Sequence, residues 1–215
     1  MNLQQAVDQF DLALRHCDNI VAVHRAHGGV NRGRRFQEVS LDRAVIVLAV
    51  AAWQAAVQDL TTALLDTVRP AGSSAIDIAR YDVLTGSVRK AIGDFATPNG
   101  DNTRKLLISA GFDPRPLWTY EIAGGRGRQR VTWTPTMVNI RLNEWLKIRH
   151  ALAHGHESLP VNNALLAVRN LGVVSNPALR LDDAEQCMTF LNRLVRLTAA
   201  GLAAHLGVTI AYPRT

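Results

Sequence analysis

The sequence predicts an all-α protein, a compact helical bundle of five to six helices forming a single domain over residues 1–215. Three observations lead there. Apolar residues recur three or four positions apart along most of the chain, which is the spacing of one helix face. Helix start signals stand where those runs begin. Strand-like alternation occurs only in one short Gly-rich stretch, around 119–134, where a small β-hairpin insertion is expected. At 215 residues, 47% hydrophobic and 20% charged, the chain has ordinary globular composition and can bury a core without disulfides or metals.

The elements follow in order. Leu3, Val7, Phe10, Leu14, Cys17 and Val21 mark a helix from Leu3 to about His24. Ser40 is the expected N-cap of a long second helix to about Val68, apolar nearly all round from Ala44 to Ala56 and therefore central. Ser73 or Ser74 caps a third helix to about Phe95. After the Pro98-Asn99-Gly100 turn, Asp101 or Asn102 caps a short helix ending at Gly111. TYEIA and RQRVTWT supply the hairpin. Thr134 followed by Pro135 starts a helix to His154, because proline is tolerated in the first turn, and Gly155 stops it. Residues 158–181 read as loop with one helical turn. Asp182 with Glu185 reads as a capping box for a last helix to about Leu206.

Composition bounds the function. Two cysteines, Cys17 and Cys187, exclude a disulfide scaffold and a Cys-rich zinc module and suggest a reducing compartment. The longest apolar run, Ala44 to Trp53, is about half of a bilayer span, and the N-terminal MNLQQAVDQFD is acidic and amphipathic rather than signal-like. A soluble, cytoplasmic protein with no membrane partner is expected. The formal net charge is +6, and 21 of the 24 basic residues are Arg. Arginine suits bidentate phosphate contacts, although a GC-rich genome produces the same bias. Arg32, Arg34 and Arg35 cluster near Gly28, Gly29 and Gly33, and Arg126, Arg128 and Arg130 follow Gly124 and Gly125. Both clusters read as basic loops, either merely solvated or tracking an RNA backbone.

The chain lacks a Walker-type phosphate loop, a dinucleotide-binding glycine fingerprint, a zincin helix and a nucleophile elbow. Two histidine patterns remain. His150 and His154 lie four apart on a helix with His156 and Glu157 beyond, which is loose metal spacing and easily reached by chance, so no metal is assigned. The other is IRHALAHG, residues 148–155, in which Arg149 and His154 form R-x4-H. At 100° per residue, Val138, Leu142, Trp145 and Leu152 share a stripe and Arg149 falls at about 20° within it. A charge there is paired, with Asp59 or Asp66 as candidates, or it lines a cleft or interface. His154 at the helix end either serves the last carbonyls or acts as a titrating acid/base. With Arg149 stabilising phosphate charge, it supports metal-free RNA cleavage by the 2′-hydroxyl. The two residues are about 140° apart on an ideal helix, so an unwound helix end or a two-fold dimer is needed to join them.

IRHALAHG resembles the motif of HEPN domains, a family of α-helical bundles that includes many toxin and defence ribonucleases. Arg149 matches the family's Arg, His154 its His, and His150 the polar position after the Arg. The resemblance extends to the RiboL-PSP-like branch through AAWQAAVQDL, residues 51–60, and TPNGDNTRKLLISAGF, residues 97–112, covering most of 40–205. The branch commonly carries an acidic residue after that Trp, where this chain has Gln54. The resemblance implies a homodimer with facing motifs and a metal-independent endoribonuclease that leaves a 2′,3′-cyclic phosphate. It implies no cofactor, a role as toxin or phage-defence effector, and a cognate antitoxin as partner. Some members only bind RNA or protein.

Overall fold

The computed structural model describes residues 1–27, 36–72, 74–123, 129–172 and 175–212. Among them are seven α-helices: α1 (Leu3–His27), α2 (Phe36–Thr67), α3 (Ala75–Gly93), α4 (Gly100–Ser109), α5 (Pro135–Ala153), α6 (Leu166–Leu171) and α7 (Leu181–Leu206). The only sheet among the described residues is the antiparallel hairpin β1 (Tyr120–Ile122) and β2 (Val131–Trp133), in the register Tyr120↔Trp133. The expected helical architecture with a small hairpin is therefore present. The seventh helix, α6, lies in the segment expected to be mostly loop.

Contacts divide the chain into two units. The first holds Met1–Gln9, Gln54–Asn139 and Leu194–Thr215, and the second Phe10–Trp53 and Ile140–Arg193. In the first unit Leu60, Leu64, Leu107, Trp118 and Leu194 are buried. Ser74 caps α3 by accepting from the Asp77 N–H. Thr134 caps α5, accepting the Met137 N–H at 3.4 Å, with Pro135 in the first turn as expected. The cap of α4 is Asn99, not Asp101 or Asn102: its side chain accepts the Asn102 N–H at 2.7 Å, so the helix opens one residue earlier, at Gly100. A Cβ at that glycine would meet the Asn139 side chain, which would have to move aside. Across the hairpin Tyr120 stacks on Trp133, and Arg130 pairs with Glu121 at 3.2 Å.

In the second unit Phe10, Leu14, Cys17 and Val21 of α1 are buried, as their spacing requires. α2 contributes Val45, Ile46, Ala49, Val50 and Trp53, all buried. Within its portion Glu38–Thr67 an 18-residue stretch is apolar enough, by length and composition, to cross a membrane, and more than half of that stretch is buried in protein. The ten-residue run understated this, because Gln54 and Gln58 interrupt the run without adding charge. α7 begins at Leu181, and the expected Asp182–Glu185 box is not what starts it. Asp183, fully buried, accepts the Arg180 N–H at 3.0 Å and the Leu166 N–H at 2.7 Å, so one carboxylate serves the first turns of both α6 and α7.

The same unit buries Asp42, whose carboxylate stands 3.4 Å from His24 Nε2. Burial pushes its pKa up to about 6, with Glu38, Asp183 and Glu185 adding to the rise and His24 opposing it. The folded state therefore holds the proton more tightly than the unfolded chain. Stability is fullest below the unfolded value near 3.8 and is lost as pH rises through about 6. Asp42→Asn, which mimics the protonated form, should melt higher than the parent at pH 7.5, by on the order of 1–3 kcal/mol. The gap should close near pH 4. Equal melting at pH 7.5 would show that ionised Asp42 costs the fold nothing.

Candidate active site at the end of α5

The site is built at the C-terminus of α5, within the second unit. Leu142, Trp145, Ile148 and Ala151 bury one side of the helix, while Leu152 is only half-buried. The stripe extrapolated from Val138 is thus corrected. The buried side turns toward Ile148 and Ala151, and Arg149 lies half-buried on its border rather than in its middle. The candidate core pairs do not form. Asp66 is held by the Met1 amino group at 2.7 Å and by Arg89 at 2.9 Å. Asp59 is shifted upward by burial alone, with no cation contributing. Among the described residues Arg149 makes no ion pair, which leaves a partly desolvated guanidinium at the surface.

Helical hydrogen bonding continues through His154, whose N–H donates to the His150 carbonyl at 3.1 Å. The helix then closes in a Schellman turn. The Gly155 N–H donates to Leu152 O at 3.2 Å and the His156 N–H to Ala151 O at 2.9 Å. Gly155 has φ +68°, a conformation that residues with a Cβ seldom adopt. The turn sends the chain back along α5, where Glu144 secures it: its carboxylate accepts the Asn163 N–H at 3.1 Å and its carbonyl the Asn162 side-chain amide at 3.3 Å.

This reversal gathers three exposed imidazoles. The His150 and His154 ring centroids are 4.2 Å apart, and His156 stands 6.5 Å from His150 and 6.2 Å from His154. Arg149 carries a permanent positive charge on the same helix, which suits an anion there. Among the described residues no three His, Cys, Asp or Glu side chains are placed to hold a metal ion. Because α5 does not unwind before His154, Arg149 and His154 keep their helical separation within one chain.

The other sequence candidates fall as follows. Arg32, Arg34, Arg35, Arg126 and Arg128 lie outside the described residues; Arg130 is exposed and paired with Glu121. Gln54 donates its side-chain amide to Phe95 O at 2.8 Å, and Gln58 does the same to Ile92 O at 2.6 Å. Both need an N–H donor, so a carboxylate at position 54 would meet a carbonyl it cannot bond. Cys17 and Cys187 are free and buried. Burial raises the Cys17 thiol to about 11 and pushes Cys187 up as well, so both stay protonated and unreactive. His156 was visible in the sequence only as a residue near the motif; its signal was the Gly155 stop, which predicts a chain reversal.

No protein-family model matches this chain, and no curated protein or solved structure is significantly similar to it.

Proposed function

We propose that the protein is a metal-independent endoribonuclease of the HEPN type, acting as a toxin or phage-defence effector. The observation that carries the reading is the end of α5: a half-buried Arg149 with no ion pair among the described residues, followed by an exposed His154 whose N–H carries the helical bonding one residue past Ala153. Arg149 holds the scissile phosphate and stabilises charge as it develops, and His154 moves the proton of the attacking 2′-hydroxyl. His150, whose ring packs against that of His154 at a 55° tilt, positions it. RNA supplies the internal nucleophile that DNA lacks, so the substrate is RNA. Basic residues such as Arg130 add non-specific attraction to its backbone. A cognate antitoxin is the partner that the resemblance implies.

The test is cleavage of single-stranded RNA in EDTA, with 2′,3′-cyclic phosphate ends on the products. A requirement for added Zn²⁺ or Mn²⁺ would refute the mechanism. Binding without cleavage would instead support a non-catalytic HEPN-like module.

Because Arg149 and His154 diverge on one helix, the complete site is expected in a two-fold homodimer, with the two motifs facing each other. Light scattering at micromolar concentration should give about twice the 23.5 kDa chain mass. A mass of one chain alone would count against juxtaposed motifs.

A further inference from the structure

We propose that His156 is a second catalytic imidazole: it protonates the 5′-oxygen leaving group while His154 removes the 2′-hydroxyl proton. This assignment rests on the ribonuclease reading above and adds a residue that the R-x4-H pattern does not contain.

The argument starts from the chemistry. Attack of the 2′-oxygen on phosphorus is in line, so the entering 2′-oxygen and the leaving 5′-oxygen occupy opposite apices of the transition state. A group within hydrogen-bond reach, about 2.6–3.2 Å, of one apex does not reach the other. A single imidazole therefore serves one end only, and the other end needs its own proton source. His is the side chain able to fill both roles near neutral pH.

Distances select the pair. The rings of His150 and His154 are 4.2 Å apart, in van der Waals contact, and leave no space for a phosphate between them. His156 stands 6.2 Å from His154 and 6.5 Å from His150, with its ring edge-on to His150. At that separation the His154 and His156 rings do not touch, and both can reach oxygens of one phosphodiester laid across them. The turn fixes the His156 backbone beside the end of α5, its N–H bonded to Ala151 O at 2.9 Å. All three rings are exposed, so a polynucleotide can enter.

The step balances. The 2′-O–H bond breaks and its proton passes to neutral His154 as the O2′–P bond forms. The P–O5′ bond breaks with its electron pair on the 5′-oxygen, which takes a proton from His156 imidazolium. The products are a 2′,3′-cyclic phosphate and a 5′-hydroxyl. The two imidazoles end with exchanged protonation states, and exchange with water resets them.

The experiment uses two RNA substrates with one cleavable linkage each, identical except that the second carries sulfur in place of the bridging 5′-oxygen. A thiolate leaves without a proton. His156→Ala should slow the oxygen substrate by at least ~10²-fold, the lower range for a general acid. It should cleave the sulfur substrate at close to the wild-type rate. His154→Ala should be slow on both. His156 is exposed, so its removal leaves the packing intact. Wild-type rates for His156→Ala on the oxygen substrate, or equal losses on both substrates, would overturn the assignment while leaving the ribonuclease intact. An inactive wild-type protein on both substrates would overturn the ribonuclease reading and this assignment with it.

Discussion

RNA cleavage in EDTA is expected to fall at least ~10²-fold in His154→Ala, the lower range for loss of a positioned proton-transfer group. The ring sits on the residue just after α5, exposed, with its backbone N–H bonded to His150 O. Arg149→Ala should lose a comparable factor, through the phosphate charge it no longer stabilises. Arg149→Lys should not recover it, because a compact ammonium lacks the guanidinium fork that grips two oxygens. His150→Ala should be milder, since that ring only supports its neighbour; a metal-dependent site would make it as damaging as His154→Ala. Initial rates on one fluorescent RNA measure all four. Full activity of His154→Ala would assign the cleavage to another site or to a contaminant.

The largest stability effect is expected at Trp118. Its side chain is 2% exposed, and its indole N–H donates to the Thr198 hydroxyl at 3.1 Å, which in turn donates to Leu194 O at 2.8 Å. Thr198 is itself fully buried. Trp118→Ala removes a large apolar group and leaves a cavity, a change that costs about 3–5 kcal/mol. Trp118→Phe fills most of the space but leaves the Thr198 oxygen without its donor, and should cost about 1–3 kcal/mol. Urea unfolding of the two variants gives the comparison. A loss below 1 kcal/mol for Trp118→Ala would mean that the first unit closes over the gap.

Helix positions were legible wherever one face alternates cleanly with solvent. The spacing of Leu3, Val7, Phe10, Leu14, Cys17 and Val21 matches their burial throughout. Thr134-Pro135 and Ser74 announced their caps because local side-chain geometry decides them. The starts of α2, α4 and α7 differ from the expected ones: α2 begins at Phe36, so Ser40 lies inside the helix rather than capping it. Asn99 and Asp183 were each passed over for a neighbouring polar residue, and only tertiary structure shows that Asp183 bonds two helix starts at once. α6 is six residues long and draws on that same buried carboxylate, so local propensity has little to show for it. At the candidate site, Arg149 and His154 stood out by pattern. The border position of Arg149 did not, because the buried side of α5 turns between Trp145 and Ile148. The approach of His156 depends on a chain reversal whose direction is set by Gly155 and Glu144 together.

The apolar length of α2 has a consequence for biosynthesis. The unit that holds Phe10–Trp53 is completed only by residues 140–193, and the unit that takes the rest of α2 also needs Leu194–Thr215. At a synthesis rate of about 5–20 residues per second, roughly 6–25 s separate the appearance of Thr67 from that of Arg193. During that interval an apolar helix is made before residues 140–193 and 194–215, which complete the two units, exist. Until then α1, made before α2 and sharing the unit of Phe10–Trp53, is the element available to pair with that part of the helix.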